Sequence, residues 1–183
     1  MINIKGQHSN LPLPDLIEKL RVEYYESIER LCTDVSEQTD KIKSLAPLKI
    51  DDAYLKQCQS VLDRIAGSLR ERRDRFIPYL NGLVEKVTGD HDCANCTGSC
   101  KLNHDVQLFD LSAAVKNLKS IQSDLQLLSL PLYAETLFPD QYRILRNLLA
   151  LIESDMVELF FLEENYLIPK VIEAQKAINV PGK

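Results

Sequence analysis

The stretch Leu145-Arg-Asn-Leu-Leu-Ala-Leu-Ile-Glu-Ser-Asp-Met-Val-Glu-Leu-Phe160 decides the fold. Leu145, Leu149, Ile152, Met156 and Phe160 recur every three or four residues, which lines them up on one face of an α-helix. Leu167 and Ile168 continue that face, and Pro169 interrupts the last turns. Pro139 and Asp140 mark the start, because proline suits the first helical position and an acid suits the positive end of the peptide dipoles. The run Leu159-Phe-Phe-Leu162 covers more than one face, so a single inward stripe does not hide it. It predicts cover from a second copy of the chain, a homodimer, or from the N-terminal arm.

The same pattern stands 91 residues earlier. Tyr54 matches Leu145, Cys58 matches Leu149, Val61 matches Ile152, Ile65 matches Met156 and Leu69 matches Phe160. Phe76-Ile-Pro78 matches Leu167-Ile-Pro169. Any two amphipathic helices agree at some offset, but the shared apolar-Ile-Pro ending favours a true repeat. Asp51 or Asp52 caps this second helix, Pro78 kinks or divides it, and Gly89 ends it.

Two further helices flank these. Pro14, Asp15 and Glu18 open the first, and Ile17, Leu20, Tyr24, Ile28, Leu31 and Val35 form its inner face until about Leu45, ahead of Pro47. Leu108, Leu111, Val115, Leu118, Ile121, Leu125 and Leu128 give the third a near-heptad seam, closed by Pro131. Residues 1–12 have no period and read as an N-terminal arm. The expectation is an all-α fold with residues 1–183 as a single helical domain. It is a four-helix bundle built from two long helical hairpins, with a Cys-rich connection at residues 90–104 between the second and third helices.

Composition agrees. Apolar residues make up 45%, with only six glycines and no tryptophan, which favours helices over sheet. A net charge of −5 and a pI near 5.3 count against a nucleic-acid partner, since phosphate binding calls for a basic excess. No uncharged apolar stretch is long enough to span a membrane, and Met1-Ile-Asn-Ile-Lys-Gly-Gln-His8 lacks the apolar core of a signal peptide. Five cysteines, an odd number and clustered, point to a reducing cytoplasmic location.

Three of those cysteines and two of the three histidines lie in His91-Asp-Cys-Ala-Asn-Cys-Thr-Gly-Ser-Cys-Lys-Leu-Asn-His104. Cys93 and Cys96 form a C-x-x-C pair. Cys100 and His104, at i and i+4, face the same way on a helical turn. Three thiolates and an imidazole are a closed tetrahedral set for zinc. His91 is a substitute ligand or a second-layer partner. An iron–sulfur cluster is the alternative cofactor, and a redox-active Cys93–Cys96 pair is a further one. A metal-free interaction scaffold is the plain alternative. Cys32 and Cys58 read as small buried apolar residues.

Arg64, Arg70, Arg72, Arg73 and Arg75 crowd the second helix, and Glu153, Asp155, Glu158, Glu163 and Glu164 crowd the fourth. At the 91-residue spacing Arg72 and Arg73 match Glu163 and Glu164 with opposite charge. These are either solvated faces or partners within the bundle or across a dimer. Leu162-Glu-Glu-Asn-Tyr-Leu-Ile-Pro169 resembles a helix of the hemerythrin-like bundles, in which acids precede an apolar-Pro ending. His104-Asp105 resembles another helix start of that family. The resemblance implies a helical bundle but stops at the metal: those bundles hold two irons with many histidines, and this chain has three. Neither Glu-x-x-His nor a phosphate-loop, dinucleotide, nucleophile-elbow or zincin motif occurs. A closed site leaves no open position for substrate, so the expected role is non-enzymatic metal binding, structural or regulatory.

Overall fold

The computed structural model describes residues 11–44, 52–92, 104–133 and 141–179. Among the described residues there is no strand, and four long helices account for the fold. Helix α1 (13–44) joins Leu13–Lys19, Leu20–Tyr25 and Glu26–Ser44. Helix α2 (52–88) joins Asp52–Glu71, Arg72–Phe76 and Ile77–Thr88. Helix α3 is His104–Ser129, followed by a 3-10 turn over Leu130–Tyr133 that takes up Pro131. Helix α4 (141–179) joins Gln141–Leu162, Glu163–Leu167 and Ile168–Asn179. Most of the arm at residues 1–12, the residues Pro139 and Asp140, and the segment 93–103 lie outside the described residues. No helix among the described residues is long and apolar enough to cross a membrane.

The ends follow local chemistry. Pro14 sits in the first turn of α1, where a missing N–H costs nothing, with Asp15 beside it. Helix α2 stops at Gly89, whose φ of 82° is the left-handed conformation that a side chain disfavours. The Asp90 N–H then donates to Glu85 O at 3.0 Å and satisfies one carbonyl left open by the helix end.

Packing is cyclic. Helix α1 lies against α2 and α4, and α3 lies against the same two. The C-terminal parts of α2 and α4 also meet, Ile77–Thr88 against Ile168–Asn179. The inner faces fill one core that includes Leu20, Ile28, Val35, Ile65, Leu69, Leu118, Leu125, Leu149, Ile152 and Met156. Leu31, Tyr54, Leu108, Leu128 and Ile168 are only partly buried and border it. The Leu159–Leu162 run differs from expectation. Leu159, Phe160 and Leu162 are all buried and Phe161 is partly so, within one chain. The sequence assigned this cover to a second copy or to the N-terminal arm; in the structure three of the four residues are already buried within one chain.

Three helices are widened by a π turn, in which a backbone N–H reaches back five residues. Glu26 bonds to Arg21 O, Ile77 to Arg72 O and Ile168 to Glu163 O. In α2 and α4 the cause is the following proline. Pro78 and Pro169 have no N–H, and in a regular helix their rings would press on the carbonyls of Asp74 and Asn165. One wide turn moves that carbonyl aside, so each helix continues past its proline. The turn in α1 has no proline. It takes up one extra residue: Leu20 and Leu111 are buried at the 91-residue spacing, whereas beyond the turn Ile28 pairs with Leu118 and Val35 with Leu125 at one residue less.

The repeat in the sequence is thus present in the backbone. Leu162, the last residue before the π turn of α4, stands 91 residues after Glu71, and the two π turns coincide along their length.

Candidate functional site

Two places concentrate polar chemistry. The first lies inside the core where the π turns meet. Arg72, on the wide turn of α2, is wholly buried, and so is Glu163 on the matching turn of α4. Arg72 Nε donates to Glu163 Oε1 at 3.0 Å. Arg72 Nη1 donates to Ser68 O at 3.1 Å and to Ser68 Oγ at 2.6 Å. Tyr25, on the wide turn of α1, donates its hydroxyl to the same Glu163 Oε1 at 2.9 Å. Burial, then the Glu163 charge, pushes the Tyr25 hydroxyl well above its usual range, so it keeps the proton it donates to Glu163. Arg72 Nη2 and Glu163 Oε2 have no hydrogen-bond partner.

Removing two ions from water costs several kcal/mol each, and only close pairing and further hydrogen bonds offset this. Four groups on three helices do so here. The arrangement is buried, pairs one positive with one negative group, and ties α1, α2 and α4 to one another. Sequence reasoning matched Arg72 with Glu163 at the 91-residue spacing and held their pairing only as the alternative to solvated faces; it missed Tyr25 and Ser68. Tyr25 lies off the three-and-four spacing of its helix because the π turn rotates it inward. Ser68 precedes Arg72 by one turn, a spacing that was readable.

The other charged groups are spread over the surface. Arg64 pairs with Asp124 at 2.7 Å, Arg73 with Glu29 at 2.6 Å, and Lys119 with Glu164 at 2.6 Å. Arg75 pairs with Asp110. Arg73 and Glu164 therefore do not repeat the Arg72–Glu163 contact. Tyr24 donates to Glu158 Oε2 at 3.1 Å. Asp155 is held above the usual carboxylate range by partial burial, with the Glu158 charge adding to it.

The second place is the junction between α2 and α3. Cys93, Cys96 and Cys100 lie outside the described residues, as does the side chain of His104, whose backbone begins α3. Among the described residues no group of three or more His, Cys, Asp or Glu converges. The near bank of the junction is informative. After the Gly89 turn, the His91 side chain is nine-tenths buried, at 9% exposure. Its Nδ1 lies 3.5 Å from Glu85 Oε2, beyond hydrogen-bond geometry, and neither ring nitrogen has a hydrogen-bond partner. Leaving a buried polar group unmet costs about 1–3 kcal/mol. A neutral imidazole with a free nitrogen is also the commonest metal ligand. His91, read from the sequence as a substitute or second-layer partner, is thus buried with neither ring nitrogen hydrogen-bonded, two positions from Cys93.

The remaining cysteines behave as read from the sequence. Cys32 and Cys58 are buried. Burial pushes the Cys32 thiol up to about 12, with the Glu29 charge adding to it, and raises the Cys58 thiol as well.

No protein-family model, no curated protein and no solved structure matches this chain.

Proposed function

We propose that this protein is a non-enzymatic metal-binding protein: a four-helix bundle of two hairpins that holds one zinc ion at its Cys-rich connection. The proposed ligands are Cys93, Cys96, Cys100 and His104, with His91 beside them. The ion would be structural or regulatory, tying the end of α2 to the start of α3. One observation carries the reading: a buried imidazole with both nitrogens unmet, at the entrance of a run holding three cysteines. The donor set fits zinc, for three thiolates and one imidazole close a tetrahedron. Free thiolates in that number also belong to a reducing compartment, and we place the protein in the cytoplasm.

The test is metal analysis of protein purified anaerobically without an affinity tag. One zinc per chain in colourless protein is the expected result. Brown protein containing iron and acid-labile sulfide would turn the reading to an iron–sulfur carrier or sensor. Protein that retains no metal and takes none up would leave a helical scaffold. Substituting Cys96 and Cys100 together by Ser should abolish stoichiometric binding.

A further inference from the structure

Helix α4 turns one face into the core, and its opposite face is uncharged over four turns. Between Arg143 and Glu158 the exposed positions are Ile144, Asn147, Leu151, Ser154 and Val157. Ile144, Leu151 and Val157 are each more than half open to water, at 53, 52 and 55%. Of the charged residues in this span, Arg146 lies over the Tyr133 ring, and Glu153 and Asp155 are partly buried. Arg143 and Glu158, both exposed, close the span at its two ends. Glu158 accepts one hydrogen bond, from Tyr24, and neither end residue forms an ion pair among the described residues. They stand about 22 Å apart along a regular helix, too far to pair with each other.

This face reads alike from either end. About the point between Ala150 and Leu151, Ile144 stands opposite Val157, Asn147 opposite Ser154, and Arg143 opposite Glu158. Helical periodicity makes the positions symmetric. It does not match apolar with apolar, polar with polar and cation with anion. A twofold axis asks for that match, because residue i of one chain meets residue j of the other, and j meets i. We infer that this face binds a second copy of the chain, α4 against α4 in antiparallel, with the axis passing between Ala150 and Leu151. Each Arg143 then meets the Glu158 of the other copy, whereas parallel helices would set like charges together at both ends. Ala150, at the axis, is small and lets the two helices close.

The surface is one helix wide, so it falls at the small end of specific interfaces and the dimer is reversible. The end charges lie at a solvated rim, where they set orientation and register more than affinity. This is a different surface from Leu159–Leu162, where Leu159, Phe160 and Leu162 are already buried within the chain. It requires no metal, so it stands or falls apart from the function proposed above.

Sedimentation equilibrium of the full-length protein tests it, with a chelator present so that no metal bridges two chains. A monomer–dimer equilibrium in the micromolar range is expected. Leu151→Lys should weaken it by about tenfold or more, with helix content by circular dichroism unchanged because the position is exposed. Arg143→Glu and Glu158→Arg should each weaken it by about tenfold or more, since each brings like charges together at both ends. Mixed one to one, these two variants should form a heterodimer, because both ends are opposite again. A variant merely unfolded by losing the Tyr24 contact would not be rescued in this way. A strict monomer at millimolar concentration would overturn the inference and leave the metal reading untouched. A dimer indifferent to Leu151→Lys would overturn this face as its seat. Charge variants that fail to combine in the mixture would overturn the antiparallel arrangement.

Discussion

Arg72 and Glu163 stand at the same place in two helices, 91 residues apart, and bond to each other at 3.0 Å with both side chains hidden from water. Deleting one partner leaves a buried charge alone, so Arg72→Ala or Glu163→Ala should lower the unfolding free energy by about 3–5 kcal/mol. Replacing the pair by Met and Leu removes both charges and should be near neutral or stabilising. Urea melts of the single and double variants decide this. A double variant as weak as the singles would show that the pair itself, and not the unpaired charge, carries the stability.

Leu118 and Ile152 are fully buried on the adjacent helices α3 and α4. Truncating either to Ala removes apolar contact and leaves a cavity, at a cost of about 2–5 kcal/mol. Losses below about half a kcal/mol at both positions, the range of ordinary surface substitutions, would contradict this packing.

The thiols should fall into two kinetic classes. Thiolate is the reactive form, and the raised, buried thiols of Cys32 and Cys58 should react with an aromatic disulfide reagent only when the protein is unfolded. A chelator should release Cys93, Cys96 and Cys100 for rapid reaction in the folded state. Prompt reaction of all five cysteines in the untreated native protein would count against both the burial and the metal.

Asp155 gives a test in pH. Its folded-state pKa is raised by partial burial and by Glu158, so the folded chain holds this proton more tightly than the unfolded chain does. The resulting stability is full below the unfolded value of about 4 and is lost as pH rises through the folded value. Asp155→Asn should therefore be slightly more stable than the parent at neutral pH, with the gap closing in acid. Thermal melts across that range would show the opposite slope if the carboxylate were stabilised by its surroundings.

Acid should also act on the proposed metal. Lowering pH protonates thiolates and imidazole and weakens binding. The core is built from residues on the four long helices, so metal should leave before the helices melt. Simultaneous loss of both, followed by a chromogenic chelator and circular dichroism, would show that the ion holds the whole fold.

The helices were legible because their signal is periodic and repeated. Leu145 to Phe160 and Tyr54 to Leu69 announce their faces, and Gly89 and Pro14 announce ends through backbone chemistry that depends on one residue. The π turns were legible only in consequence. Pro78 and Pro169 warned of a disturbance, but a kink and a widened turn both answer that warning. The turn at Leu20–Tyr25 carries no breaker residue, so nothing local announced it. At Leu159–Leu162 a straight-helix count gives too many faces for one inward stripe, so the sequence alone does not show where the cover comes from. The core surrounds this part of α4 widely enough to take three of the four residues. At the junction, residue types pointed to metal. What spacing did not supply was the relation of His91 to Glu85, which depends on the chain reversing at Gly89.

A buried Arg–Glu contact between matching positions also sets a rule of assembly. If residues 13–88 associated with an identical copy, Arg72 would meet Arg72, and two copies of residues 104–179 would bring Glu163 against Glu163. Like charge disfavours the pairing of each half with itself, and opposite charge suits it to the other. Expressed apart, neither half should form a four-helix bundle alone, and the two should combine one to one when mixed. Two whole chains that exchanged halves would keep every Arg–Glu contact intact. The charge pattern therefore disfavours homotypic hairpin dimers while leaving reciprocal domain exchange electrostatically neutral.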